Sequence, residues 1–315
     1  MTIVDAHHHV WDLSVRDQPW LDQPGLAPLR RNFLLSDLEP EAAAHGVTAT
    51  VLVQTVAEPE ETPEMLALAA GSDLIAGVVG WVDLEAPDVT DALAALREAP
   101  GGEFLVGIRH PVLVEPDQDW LARPAVLRGL AAVAAAGLVF DVVGQPRHLA
   151  AAVSAAQATP QLTLVLDHFG NPDIDAGGDE AWTSAFSAFA ALPNTVGKFS
   201  GILGEPAPGL ADAPGAPGPG PGSVPGSGPG SGPGPDSGPV QIAHLQPYYD
   251  LALGVFGPRR LMFGSDWPVS TMMIGYDGVY AAARALTAGL SPAENAAIFR
   301  ETAVEAYGLA LAPPA

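Results

Sequence analysis

The chain has 315 residues, with 36 acidic against 13 basic, a formal net charge of −23, and no cysteine. That balance argues against nucleic acid and anionic membrane surfaces as partners, and the missing cysteines exclude disulfides, thiolate nucleophiles and cysteine-type zinc sites. Proline (32) and glycine (35) are abundant, but 11 of each fall between Pro206 and Val240. Their spacing there follows no strict triplet, which excludes collagen, and the remaining 280 residues have ordinary globular composition.

The N-terminus, Met1-Thr2-Ile3-Val4-Asp5, shows no basic segment and no cleavage site of a secretory signal. The twelve apolar residues Gly129–Phe140, bracketed by Arg128 and Asp141, are too few to span a bilayer and suit a buried helix running into a strand. A cytoplasmic protein is expected. Short apolar runs recur in chain order: Ile3-Val4, Ala49–Gln54, Ile75–Val82, Phe104–Arg109, Leu138–Val143, Leu162–His168, Thr195–Ser200 and Leu261–Asp266. Between them lie helical patterns such as Asp88–Ala99, Pro124–Ala136, Pro146–Ala158 and Glu180–Leu192. Ser36-Asp37-Leu38-Glu39 and Ser291-Pro292-Ala293-Glu294 both read as capping boxes, and Thr62-Pro63-Glu64 as a further helix start.

Eight buried parallel strands alternating with helices predict an α/β fold, a (β/α)8 TIM barrel. A doubly wound sheet is the weaker alternative, since no glycine-rich dinucleotide fingerprint follows any strand. The segment after Val240 holds only one clear strand, too little for a second sheet. Residues 1–315 therefore read as one barrel domain, with 206–240 a low-complexity, disordered insertion after strand seven.

Active sites of such barrels gather where strands end on the C-terminal face. The strand ends deliver Asp5-Ala6-His7-His8-His9, Gln54, Trp81 and Asp83, Arg109-His110, Asp141 with Gln145 beyond it, Asp167-His168, Lys198 with Ser200, and Asp266-Trp267. His7 and His9 are two apart, so on a strand both point to one side, where two imidazoles can ligate a divalent metal; His8 points elsewhere. Asp266 closes an apolar run, and a carboxylate there is costly unless paired or put to use. His168 follows the same logic, while His45, His148 and His244 read as surface residues. Lys198 is the sole lysine beside twelve arginines, a bias that makes the one retained worth marking.

These residues resemble the amidohydrolase superfamily, in the amidohydrolase 2 branch that includes sugar lactonases and 2-pyrone-4,6-dicarboxylate lactonase-like metal-dependent hydrolases. The resemblance is carried by Asp5–Asp12 (DAHHHVWD), Gly80–Leu84, Gly107–His110, Leu166–Gly170, Lys198–Gly201 and Leu261–Pro268 (LMFGSDWP), covering the chain from residue 3 to about 307 apart from the insertion. It implies hydrolysis of a lactone of a sugar acid or similar small carboxylate. Asp266 would be the general base and His168 a second catalytic group, with His7, His9 and Asp266 as metal ligands. Arg109, His110, Trp11, Trp81, Gln145 and Trp267 would line the substrate pocket. Three protein ligands suffice for a catalytic zinc with an open position. Metal-dependent relatives add a strand-five histidine, and strand five here reads Leu138–Val143 (LVFDVV) without one. The resemblance therefore implies a weakly held divalent ion, zinc first, and leaves a metal-free mechanism open. A non-oxidative decarboxylase of an aromatic acid and an inactive binding protein are the alternatives. Partners are expected to be a small-molecule substrate and, at most, further copies of the chain.

Overall fold

Every one of the eight apolar runs becomes a strand in the computed structural model, which describes residues 2–174, 180–201 and 242–311. The strands are β1 (Ile3–His8), β2 (Val47–Val53), β3 (Ile75–Gly80), β4 (Leu105–His110), β5 (Val139–Val142), β6 (Leu164–Leu166), β7 (Thr195–Phe199) and β8 (Leu261–Phe263). Each pairs in parallel with its successor. The circle closes from β8 to β1 through His9 N–H to Trp267 O (2.7 Å) and Asp266 N–H to His7 O (2.8 Å). After each strand comes a helix: α1 (Leu35–Ala44), α2 (Glu61–Ala70), α3 (Val89–Glu98), α4 (Pro124–Ala135), α5 (Leu149–Ala158), α6 (Glu180–Ala190), α7 (Ile242–Phe256) and α8 (Tyr276–Leu286). A sequential strand order with one helix per strand is a (β/α)8 barrel, whereas a doubly wound sheet reverses its order midway. The expected insertion at Pro206–Val240 lies outside the described residues. Among them, no helix is long and apolar enough to cross a membrane.

The strands are apolar on both faces because each face meets a different core. Val4, Ala49, Val51, Val79, Val139, Val165, Val196 and Met262 come from seven of the eight strands yet pack as one cluster, which is possible only inside the barrel. Tyr307 and Leu309 of the C-terminal segment join them from below. The alternate residues, among them Leu52, Val78, Ile108, Phe140, Leu164, Phe199 and Phe263, pack outward against the helices. Burying a side chain of this size contributes about 1.5–3 kcal/mol.

Several boundaries differ from the sequence reading. Strands six and eight stop at Leu166 and Phe263 rather than at His168 and Asp266, and both of those residues adopt left-handed backbone (φ 53° and 55°). The helix α1 starts one residue before Ser36: Asp37 accepts the Leu34 N–H at 2.8 Å, so the cap sits on Leu34. The second expected box forms as read, with Glu294 N–H donating to Ser291 Oγ (3.3 Å) and Ser291 N–H to Glu294 Oε2 (2.8 Å). His148 is buried instead of lying on the surface, because its Nδ1 accepts the Gln145 N–H at 3.0 Å across the 3-10 turn that precedes α5. His45 is half-buried, beside Asp277 and Tyr280, and His244 is exposed.

Candidate active site

The ends of β1, β6 and β8 bring His7, His9, His168 and Asp266 into one buried centre. His7 Nε2 lies 3.2 Å from His9 Nε2, as the two-residue spacing anticipated. Asp266 Oδ1 stands 3.5 Å from each of these nitrogens and 4.0 Å from His168 Nε2. Its other oxygen, Oδ2, is buried with no hydrogen-bond partner among the described residues. His8 turns outward, to Thr50 Oγ1 at 2.9 Å.

Local backbone makes this convergence possible. A Cβ on Gly264 would stand 2.7 Å from that of His7, and one on Gly201 would stand 2.2 Å from His168 Nδ1. Both glycines therefore let an imidazole sit against main chain. His9 Nδ1–H donates to Val53 O at 2.8 Å, and His168 Nδ1 pairs with Ser200 Oγ at 2.9 Å. Each ring is thus fixed from behind, with Nε2 facing the centre.

Directly beneath lies a charged layer. Asp141, Asp167, Lys198 and Arg109 follow Val139, Val165, Val196 and Gly107 by two residues, so period-two alternation sends them into the same interior. Lys198 Nζ donates to Asp141 Oδ2 at 2.5 Å and to His7 Nδ1 at 3.1 Å, and it lies 3.1 Å from Asp167 Oδ1. Tyr307 O–H donates to Asp141 Oδ2 at 2.8 Å. Arg109 Nη1 donates to Asp167 Oδ2 at 3.2 Å, Nη2 donates to Gln54 O, and Nε is buried without a partner among the described residues. Asp141, Asp167, Lys198, Gln54 and Ser200 were visible only as polar strand ends in the sequence. Their partnership depends on register between strands, and the readable signal was the Val-x-Asp, Val-x-Asp, Val-x-Lys alternation of β5, β6 and β7.

Burial sets the charge states. It holds His7 well below the ordinary histidine range, helped by the Lys198 ammonium, and does the same to His9, helped by Arg109, so both imidazoles are neutral. Burial raises the Asp266 carboxyl, against the pull of His168 and Arg109. The two carboxyls on Lys198 part company. Asp141 is raised by burial, whereas for Asp167 the Lys198, His7 and Arg109 contributions outweigh burial and hold it well below the usual range.

The other expected pocket residues have partners of their own. Trp11 is buried, donates from Nε1 to Arg31 O at 2.7 Å and packs edge-on against Trp20 and Phe33. Trp267 is buried against the same Phe33. Trp81 Nε1–H donates to His110 Nδ1 at 3.1 Å, and His110 in turn meets Glu115 Oε1 at 2.8 Å and stacks on Trp120. Gln145 is half-buried in the turn after β5. A cavity of about 400 Å³, lined by Val10, Trp11, Arg16, Gln18, Glu61 and Met65, opens beside the centre but touches none of its four residues.

The donor set fits a divalent cation. Tetrahedral zinc with bonds near 2.0–2.2 Å requires ligand atoms about 3.3–3.6 Å apart. The triangle of His7 Nε2, His9 Nε2 and Asp266 Oδ1 has edges of 3.2, 3.5 and 3.5 Å. These three residues form one of two groups of potential ligands among the described residues; the other is His7, Asp167 and His168.

Fold and centre together are those of a (β/α)8 barrel with a buried His–Asp cluster at the C-terminal ends of its strands. A family model described as Amidohydrolase matches residues 4–309, and the chain belongs to that amidohydrolase family. It is similar to an L-fucono-1,5-lactonase of Burkholderia ambifaria, 35% identical over 279 residues, covering 89% of this chain and 84% of that protein. An L-fucono-1,5-lactonase of Burkholderia multivorans is 33% identical over 313 residues, covering 97% and 96%. A crystal structure of an amidohydrolase from Burkholderia multivorans with bound zinc superposes with a TM-score of 0.81 at 31% identity, covering 98% of this chain and 100% of that one.

Proposed function

We propose that the protein opens the ring of a sugar-acid lactone, of the aldono-1,5-lactone kind for which the Burkholderia relatives are named, and releases the hydroxy acid. The observation that carries this reading is the divided carboxylate of Asp266. Oδ1 faces three imidazoles, while Oδ2 is buried and unpartnered among the described residues. A carboxylate held so is suited to take the proton from an attacking water through Oδ2. His168, tied at Nδ1 to Ser200, presents Nε2 where the carbonyl oxygen would gather charge. Arg109 keeps its Nε, unpartnered among the described residues, for a hydroxyl or carboxylate of the substrate. His7, His9 and Asp266 Oδ1 would hold a divalent cation, zinc first, and such an ion polarises the lactone carbonyl when bound.

The test is a pH-indicator assay over a panel of aldono-1,5-lactones and 1,4-lactones, run with and without chelator. Acid release on at least one sugar lactone is the expected result. No acid release across the panel would overturn this reading, and carbon dioxide release from hydroxybenzoates would replace it with the decarboxylase one.

A further inference from the structure

One peptide unit at the end of β2 is held from both sides. Gln54 N–H still donates to Val79 O of β3 at 2.9 Å. Thr55 N–H then leaves the sheet and donates to the Glu61 carboxylate, 2.9 Å from Oε1 and 3.1 Å from Oε2. Thr55 Oγ1 donates to Oε1 as well, and Val56 N–H donates to Oε2 at 3.2 Å. Glu61 is the first residue of α2 and is buried. The carbonyl of the same unit, Gln54 O, accepts from Arg109 Nη2, and Gln54 Nε2 donates back to Arg109 O at 3.3 Å.

A trans peptide is planar, with N–H and C=O pointing opposite ways, so fixing one group fixes the other. The Gln54–Thr55 bond is trans, since the cis bond among the described residues is Trp267–Pro268. A carboxylate therefore stands at the N–H end of this unit and a guanidinium at its C=O end, and both contacts are charge-assisted. Burial raises the Glu61 carboxyl, while the Thr55 and Val56 donors and the Arg109 charge pull against it. Three donors converge on the two oxygens, a demand that only an acceptor-only side chain meets; a glutamine would turn an NH2 toward one of them. Arg109 pairs with Asp167 rather than with Glu61, so the link between Glu61 and Arg109 runs through this backbone unit. Nη2 on Gln54 O and Nη1 on Asp167 Oδ2, 3.2 Å away, hold the planar guanidinium at two corners.

We infer that Glu61 is a positioning residue for Arg109: through the Gln54–Thr55 peptide it sets the plane of the guanidinium, and with it the direction of Nε–H. This role rests on the lactone reading above, in which Nε meets a hydroxyl or carboxylate of the substrate. Glu61 belongs to a helix start and Arg109 to β4, and the two are coupled by one amide plane rather than by side-chain contact.

The test compares the full chain with Glu61→Gln, and with Asn194→Ala as a stability control. Asn194 donates to Ala156 O, Thr159 O and Leu162 O just ahead of β7, at the opposite end of the barrel, so its loss loosens the fold without reaching Arg109. The first readout needs neither substrate nor cation. In 15N-labelled protein the Arg109 Nε–H correlation, assigned by its loss in Arg109→Lys, is expected to shift or vanish in Glu61→Gln and to stay in place in Asn194→Ala. The second is kinetic, on the lactone found in the panel. KM should rise about tenfold in Glu61→Gln, the scale of one hydrogen bond to a charged group, with kcat within about threefold of wild type. Asn194→Ala should leave both constants where they are. An Arg109 signal unmoved in Glu61→Gln, one moved equally in Asn194→Ala, or a kinetic loss confined to kcat would each overturn the inference. If no lactone of the panel is opened, the proposed function falls while the Arg109 signal still decides the role of Glu61. Glu61→Asp keeps the charge and both acceptors but draws them back by one methylene. It should move the signal as Glu61→Gln does, and it decides the matter if Glu61→Gln does not fold.

Discussion

His168 and Asp266 share an unusual backbone: both adopt left-handed φ, 53° and 55°, two and three residues past the ends of β6 and β8, which flank β7, and their Nε2 and Oδ1 atoms stand 4.0 Å apart. Side chains with a Cβ avoid this region, and such residues cost about 1–3 kcal/mol each when held there. The barrel sustains both because the segments around them are buried and tied. Asp266 N–H is bonded to His7 O, and Ser270 N–H to Asp266 O. In this backbone both side chains lie at the barrel mouth, within 4.0 Å of each other.

Replacing Asp266 by Asn separates chemistry from backbone, since asparagine tolerates left-handed φ better than most residues. Turnover on the lactone identified in the panel is expected to fall about 10²–10⁴-fold, the range of a lost general base. The far-ultraviolet spectrum and melting temperature should stay close to wild type, because the amide relieves the burial that raises the Asp266 carboxyl. Residual turnover within tenfold of wild type would remove Asp266 from the base role.

Gly201 and Ser200 test how tightly His168 must be held. Gly201 has φ 66°, and an alanine Cβ there would lie 2.2 Å from His168 Nδ1. Gly201→Ala should therefore displace the ring and cost at least about 10²-fold in kcat, as misplacement near 1 Å does elsewhere. Ser200→Ala keeps the space and loses only the 2.9 Å bond, so a smaller loss of about tenfold is expected. Steady-state kinetics of the two variants in parallel check the ranking; equal effects would mean that ring position is not the sensitive quantity.

The strands were legible because both their faces are apolar, and the pair His7–His9 because two-residue spacing survives the curvature of a strand. The layer beneath was less so. Asp141 looked like the absence of a strand-five histidine, yet it is the anchor of Lys198, and that pairing arises across three strands where no local pattern records register. Trp11 and Trp267 read as pocket residues from their positions next to His9 and Asp266. Both pack on Phe33, a residue of the long first connection whose path the sequence did not specify, and Trp11 also lines the cavity. A tryptophan at a strand end has a large apolar body and one donor, and either solvent-facing or core-facing placement satisfies it.

His110 predicts a pH dependence of stability. Burial lowers its pKa even though Glu115 lies beside it. The folded state therefore binds its proton less readily than the unfolded chain, whose value is near 6.5. Between the lowered value and 6.5 the unfolded state carries more protons, so stability rises with pH there. This contribution is complete above 6.5 and is lost as pH falls below it. One such proton gives a slope of at most about 1.4 kcal/mol per pH unit. Urea midpoints at pH 7.5 and 5.5 should differ less in His110→Gln than in wild type; an equal or larger difference would contradict the assignment.

Tyr249 offers the opposite kind of test, a polar group that earns nothing from folding. Its ring is buried against Phe199, with centroids 5.2 Å apart, and its hydroxyl has no hydrogen-bond partner among the described residues. Burial pushes the phenol up to about 12, so the group is neutral at every working pH and removing it creates no charge effect. The hydroxyl loses its hydration on folding and gains no bond in return among the described residues, a penalty of about 1–3 kcal/mol for a buried unsatisfied group. Phenylalanine keeps the ring contacts and removes only that oxygen. Tyr249→Phe should accordingly raise stability by about 1 kcal/mol, visible as a higher urea midpoint at unchanged slope, with kinetics untouched. A destabilisation of similar size would mean that the hydroxyl has a partner in the folded protein, such as an ordered water.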